Sequence, residues 1–241
     1  MSDRPRLALL NASHSIHHTR RNFRRELDAD VAEFTLTEEN YPVGFDYDGF
    51  VVSGSASSVY WDEPWLPETR EWLTEAIDRG IPALGICFGH QLLADVLGGT
   101  VEDMGEYELG YRTVERTDAG REDPVHANLD DSFYVFTSHS DAVTELPPGA
   151  TLTAENEYGV HGFRKGRVFG MQSHPEYDLD TARSVAEGKE DTDYVSDDQL
   201  SAVLADVTEP NFTRAAETKR VFDDFLGYVG EVRAEPSAAG D

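Results

Sequence analysis

Ile81-Pro-Ala-Leu-Gly-Ile-Cys-Phe-Gly-His-Gln91 decides the fold. Its apolar run Ile81 to Ile86 reads as a buried strand, and Phe88 to Leu97 carries apolar residues at helical spacing up to the stop signal Gly98-Gly99. Cys87, the single cysteine of the 241 residues, therefore falls at a strand-to-helix turn. Glycines on both sides permit a tight, strained turn and leave room for a substrate, while the helix N-terminus favours a thiolate. This is the pattern of a nucleophile elbow. A lone cysteine is more often an inert core side chain, so the reading needs partners.

Working outward, strands are expected at Leu7 to Leu10, Val31 to Thr35 and Gly49 to Val52, with a helix from Pro67 to Arg79 before the elbow strand. Alternation of strand and helix implies an α/β fold: three layers around a doubly wound, mostly parallel sheet. The second half is β-rich, with strand patterns at Arg112 to Arg116, Ser132 to Thr137, Thr151 to Asn156, Val160 to Arg164 and Arg167 to Met171, the last two joined by a hairpin turn. Helices are expected at Ala182 to Glu190, Asp197 to Asp206 and Asn211 to Val232. Val221, Phe222, Phe225, Leu226 and Val229 form a stripe that would pack the last one on the sheet. Arg233 to Asp241 is expected to fray. The expected organisation is one domain over 1–241, with a catalytic core at about 6–177 and a helical extension at 178–233.

A cysteine nucleophile needs a base to take its proton and a third group to orient that base, and neither has to be near in sequence. Gly170-Met-Gln-Ser-His-Pro-Glu-Tyr177 follows an expected strand and supplies His174 as base and Glu176 as orienting carboxylate. Alone, each reads as a surface residue. Together with the elbow they make a triad.

Gly85-Ile-Cys-Phe-Gly-His-Gln91 with Gln172-Ser-His-Pro-Glu176 resembles the class I, or triad, glutamine amidotransferase family, in particular GMP-synthase-type glutaminase domains. Two further segments match in order. Ser53-Gly-Ser-Ala-Ser-Ser-Val-Tyr60 is similar to the family's oxyanion loop, and Thr137-Ser-His-Ser-Asp141 to the loop that holds the glutamine backbone. The resemblance implies a flavodoxin-like fold and hydrolysis of the glutamine side-chain amide through a thioester. It also implies oxyanion donors at the backbone N–H groups of Ser55 and Phe88. Gly54, Gln91, Ser138, His139 and Ser140 would bind substrate; no cofactor is implied. Where the family often has two glycines, this chain has Gly54-Ser55.

Forty-seven acidic against twenty basic residues give a net charge of −27, and only Lys165, Lys189 and Lys219 are lysines. Such a surface repels nucleic acid and anionic membranes, so neither is an expected partner. It resembles surfaces adapted to molar salt, which points to a halophile. No apolar run approaches the ~20 residues of a membrane span. With no secretory signal and one free thiol, the expected compartment is the reducing cytoplasm.

His14, His17 and His18 are expected in a loop on the rim of the active-site face rather than in a metal site. His90 and His139 are expected to contact substrate rather than serve as a second base. No Gly-rich phosphate loop is present, so ATP-dependent amination needs another subunit. The primary expectation is a glutaminase unit that feeds ammonia to a partner synthetase. A free-acting γ-glutamyl peptide hydrolase and a non-catalytic regulatory protein on the same fold are the alternatives.

Overall fold

The computed structural model describes residues 4–190 and 195–235. Its strands are β1 (Arg6–Asn11), β2 (Asp30–Thr35), β3 (Gly49–Val52), β4 (Ala83–Ile86), β5 (Thr100–Arg116), β6 (Ser132–Glu145), β7 (Thr151–Asn156), β8 (Gly159–Lys165) and β9 (Val168–Met171). They form one sheet in the order β2-β1-β3-β4-β9-β8-β7-β5-β6. The first five in that order pair in parallel. The rest join antiparallel. The sheet is therefore mixed rather than mostly parallel. A parallel partner needs a crossover of a dozen or more residues, whereas only two residues separate β8 from β9.

The helices are α1 (Ile16–Glu26), α2 (Leu66–Asp78), α3 (Phe88–Val96), α4 (Leu179–Glu187), α5 (Asp197–Asp206), α6 (Glu209–Ala215) and α7 (Arg220–Ala234). Strand alternation sends side chains to opposite faces of the parallel half. Ala8, Leu10, Phe50 and Val52 pack with Leu73 of α2 and with Phe88 and Leu92 of α3. Leu7, Leu9, Val51 and Leu84 pack with Phe23 of α1 and with Val221, Phe222, Phe225 and Val229 of α7. On the antiparallel half, Leu109, Tyr111 and Phe136 meet α4, α5 and α6 through Ala182, Val203 and Ala215. Among the described residues no helix is long and apolar enough to cross a membrane.

Several elements depart from expectation. Helix α1 occupies the segment read as a loop, and His17 and His18 lie in its first turn. Its only buried residues are Asn22 and Phe23, so four arginines mask the periodicity. Strand β5 starts twelve residues early and β6 runs through Thr137 to Asp141, the segment read as a loop. Acidic and polar residues hide both, and the pairing itself is irregular between Asp103 and Glu108. The expected helix at 211–232 is broken by a 3-10 turn at Ala216–Lys219. Asp178, accepting from the Thr181 N–H, starts α4 three residues early. Arg233 and Ala234 continue α7 instead of fraying; the tail expected at 236–241 lies outside the described residues.

Phe225 of α7 is fully buried and meets Phe169 of β9 edge-on, with ring centroids 6.3 Å apart. Phe225→Ala should cost ~3–5 kcal/mol in urea unfolding. A loss below ~1 kcal/mol would mean that α7 is not part of the cooperative fold.

Candidate active site

The elbow is built from backbone. Cys87 has φ 53 and ψ −109, left-handed space that a residue with a β-carbon enters only at a cost. Two bonds hold it there. The Cys87 N–H donates to the Met171 carbonyl at 2.8 Å, and the Gln91 N–H to the Cys87 carbonyl at 3.0 Å. The flanking glycines are steric necessities: a Cβ on Gly85 would lie 2.4 Å from the Gly89 carbonyl oxygen, and one on Gly89 2.2 Å from that of Val52. Phe88 opens α3, so its N–H has no intrahelical partner.

Parallel pairing of β4 with β9 sets Ile86 beside Met171 and so delivers the segment after Met171 to the elbow. The His174 N–H donates to the Phe136 carbonyl at 2.8 Å. The His174 Nδ1 lies 2.8 Å from the Glu176 Oε1, and the imidazole stacks on Tyr177 with centroids 4.1 Å apart. Cys87, His174 and Glu176 are all buried. Burial would lower the His174 pKa, but the Glu176 carboxylate and Cys87 outweigh it and push it up to about 10. The geometry therefore favours an imidazolium beside the sulfur.

Gly54 belongs to the same contact. A Cβ there would lie 2.8 Å from the His174 Cε1 and 3.6 Å from the Cys87 Cβ. Ser55 follows without a left-handed φ, so its β-carbon carries no backbone strain. The Cys87 Sγ is 3.9 Å from the Ser138 carbonyl oxygen.

Two cavities meet here. The smaller, about 140 Å³, is lined by Cys87, Gln91, Ser138, His139, Ser140 and Asp141 among others. The larger, about 250 Å³, lies on the His174 side. Gln91 spends its amide N–H groups on the Asp141 carbonyl at 2.9 Å and the Gln172 Oε1 at 3.0 Å, leaving its Oε1 for a ligand. His14 and His18 line the larger cavity, in keeping with a rim position. His90 lines neither. It is fully buried against Phe163, and burial with the nearby His161 and His139 lowers its pKa to about 3, so the expected substrate contact is not made.

The His139 ring turns inward. Its Nδ1 faces the Asp141 carbonyl oxygen at 2.9 Å and its Nε2 the Glu108 Oε2 at 2.5 Å, so any substrate contact is left to the backbone. His161 Nε2 approaches the same Glu108 oxygen at 3.1 Å, and the Asn156 amide donates to the other at 2.7 Å. Burial opposes the Glu108 charge, but hydrogen bonds from the two imidazoles hold its pKa down to about 2. Since a carbonyl only accepts, the His139 Nδ1 is the donor to Asp141. Glu108, His139 and His161 converge within 4.8 Å, close enough to suggest a metal site. Ligands at ~2.0 Å from an ion stand ~3 Å or more apart, whereas the His139 Nε2 and the Glu108 Oε2 are in direct hydrogen-bond contact at 2.5 Å.

Sequence reasoning missed this network, because nothing marked the first twelve residues of β5, which carry Glu108, as a strand. It also missed α1, whose Arg25 donates to the Glu176 carbonyl at 2.6 Å and to Asp178 at 2.9 Å, fixing the segment that carries His174.

A family model described as glutamine amidotransferase class-I matches residues 8–187. One of the subunits of a glutamine-hydrolyzing GMP synthase from Halobacterium salinarum is 35% identical over 162 residues, covering 66% of this chain and 82% of that one. A glutamine-hydrolyzing GMP synthase from Thermomicrobium roseum is 38% identical over 129 residues, but the match covers 53% of this chain and only 23% of that protein's length. A gamma-glutamyl-L-1-hydroxyisopropylamide hydrolase from a Pseudomonas species is 35% identical over 139 residues, 54% of this chain and 47% of its own. Among solved structures, a glutamine amidotransferase from Thermotoga maritima superposes with a TM-score of 0.76 at 21% identity, covering 93% of this chain and 99% of that one.

Glu108→Gln removes the carboxylate that His139 and His161 face. Urea unfolding should show a loss of ~1–3 kcal/mol, the cost of leaving buried hydrogen-bonding groups unsatisfied. An unchanged midpoint would show that the pair carries no stability.

Proposed function

The chain belongs to the class-I glutamine amidotransferase family, and on that premise we propose that it hydrolyses the side-chain amide of glutamine through a thioester on Cys87, passing ammonia to an acceptor on a partner synthetase. The observation that carries this is the buried contact of the Cys87 elbow with an imidazole whose pKa is raised to about 10.

The thiolate attacks the amide carbon and the carbonyl oxygen takes up the negative charge. Backbone N–H groups of Phe88 and Ser55 receive that charge, each donor contributing ~3 kcal/mol. His174 gives its proton to the nitrogen as the C–N bond breaks, and ammonia leaves. Neutral His174 then takes a proton from water, which attacks the thioester and releases glutamate. Glu176 holds the ring in the required tautomer. Gly54, the Gln91 Oε1 and backbone groups of Ser138 and Ser140 bind the amino-acid end, and no cofactor takes part. The intact triad disfavours the non-catalytic reading.

A second reading has its own support. The Pseudomonas relative is named for hydrolysis of a γ-glutamyl amide, and the larger cavity on the His174 side offers space for an amine. We further propose that the chain works in a reducing cytoplasm of high salt, on the strength of its −27 charge and single thiol.

Purified protein should release glutamate from glutamine, and Cys87→Ala should abolish release without changing the fold; retained turnover would sink the thioester. Leaving-group protonation needs the imidazolium, which is lost as pH rises through the raised His174 value. Glutamate release should therefore hold up to about pH 10, and Glu176→Gln should move that alkaline limb down. A limb near ~6.5, the ordinary histidine range, in the unmodified protein would contradict the coupling. The melting temperature should rise as salt goes from about 0.1 M to about 1 M and the screening length falls from ~10 to ~3 Å. No rise would remove the high-salt reading.

A further inference from the structure

Glutamine brings a carboxylate to a molecule whose net charge is −27, and it meets repulsion unless a cation stands at the site. Among the described residues no arginine lines either cavity, whereas Lys189 lines both. The other two lysines are engaged elsewhere: Lys165 donates to the Leu97 carbonyl, and Lys219 pairs with Glu26. We infer that the Lys189 ammonium receives the α-carboxylate of glutamine. The inference rests on glutamine as the substrate of the Cys87 site and names the group that tells it from other primary amides.

The lining assigns the end of the substrate. Cys87 and Gln91 line the smaller cavity and not the larger, so a glutamine whose amide carbon meets the sulfur places its α-carbon in the smaller one. Apart from the inward-turned His139, the charged side chains lining that cavity are Asp141 and Lys189. The Asp141 carboxylate, which accepts from the Tyr60 hydroxyl at 3.0 Å, repels a second carboxylate. Lys189 attracts it. Charge complementarity therefore fixes which way round the α-carbon sits.

The ammonium is held in place. Lys189 follows α4 in a turn closed by its own N–H, which donates to the Ala186 carbonyl at 3.0 Å. Ala186 is fully buried and packs in the cluster that contains Leu109 and Phe136, so the end of α4 is anchored on the sheet. The Lys189 Nζ lies 4.6 Å from the centroid of the Tyr107 ring, a cation–π contact. Tyr107 is fixed at both ends. Its hydroxyl is 3.1 Å from the Ser138 Oγ, and its carbonyl accepts from the Gln199 amide of α5 at 3.4 Å. Since the Ser138 carbonyl oxygen faces the Cys87 Sγ at 3.9 Å, a continuous line of contacts runs from the ammonium to the proposed nucleophile.

Calorimetry on the full chain carrying Cys87→Ala, which blocks the thioester, separates this binding from the chemistry. The comparison ligand is 4-aminobutanamide, which is glutamine without its carboxylate. Glutamine should bind the more tightly by about tenfold or more, the worth of one hydrogen bond to a charged group. Adding Lys189→Met, which keeps the stem and drops the charge, should erase that preference, and Lys189→Arg in its place should keep it. The ratio of two ligands in one variant does not depend on how much of it folds. With Cys87 intact, Lys189→Met should raise the KM for glutamine by about tenfold and leave kcat within about twofold, the pattern of lost uniform binding. A preference for glutamine that survives Lys189→Met would overturn the inference and assign Lys189 to the larger cavity alone. Failure of Cys87→Ala to bind glutamine would overturn it as well. A preference that disappears with the Lys189 charge, in a chain that releases no glutamate when Cys87 is present, would uphold the inference and remove the thioester instead.

Discussion

Everything at the site depends on the left-handed backbone of Cys87. A residue with a β-carbon stays in that conformation only if its surroundings leave no alternative. The N–H bond to Met171 ties the elbow to β9, the tight approach of Gly89 to Val52 ties it to β3, and α3 takes its direction from both. The same ties put the end of β9, and therefore His174, beside the sulfur. Geometry that strains the proposed nucleophile also brings an imidazole to its side.

Buried charge is handled by pairing. Glu176 faces His174 on one side of the site, and Glu108 faces His139 and His161 on the other. An isolated carboxylate in either place would cost several kcal/mol. The two pairs have different uses. Glu176 raises the basicity of the ring beside Cys87, whereas Glu108 pins the ring of a β6 residue whose neighbour, Ser138, presents its carbonyl oxygen to Cys87. Helix α1 adds a third anchor through Arg21 and Arg25 on Asp178, just past the triad segment.

The parallel half of the sheet was legible in the sequence because its strands are short apolar runs flanked by helical periodicity. The elbow was legible because the residues that steric crowding demands, Gly85 and Gly89, bracket a reactive side chain. His174 and Glu176 could be found because a nucleophile implies a base and an orienter. Illegible parts share one cause. Helix α1, the first twelve residues of β5 and the end of β6 bury polar side chains in networks, so their hydrophobic period is missing. Glu108 has no local signal at all, since its partners come from β6, β7 and β8 and only the register of the antiparallel half brings them together. His90 misled for a related reason: beside the motif in sequence, it points into the core against Phe163.

The central claim is a covalent bond between the γ-carbon of substrate and the Cys87 sulfur. Acid-quenching the protein during steady-state turnover of glutamine, followed by intact and peptide mass spectrometry, tests it directly. A glutamyl adduct on the peptide that contains Cys87, absent in Cys87→Ala, is the predicted result. Glutamate release with no adduct at any quench time, undiminished in Cys87→Ala, would contradict the account.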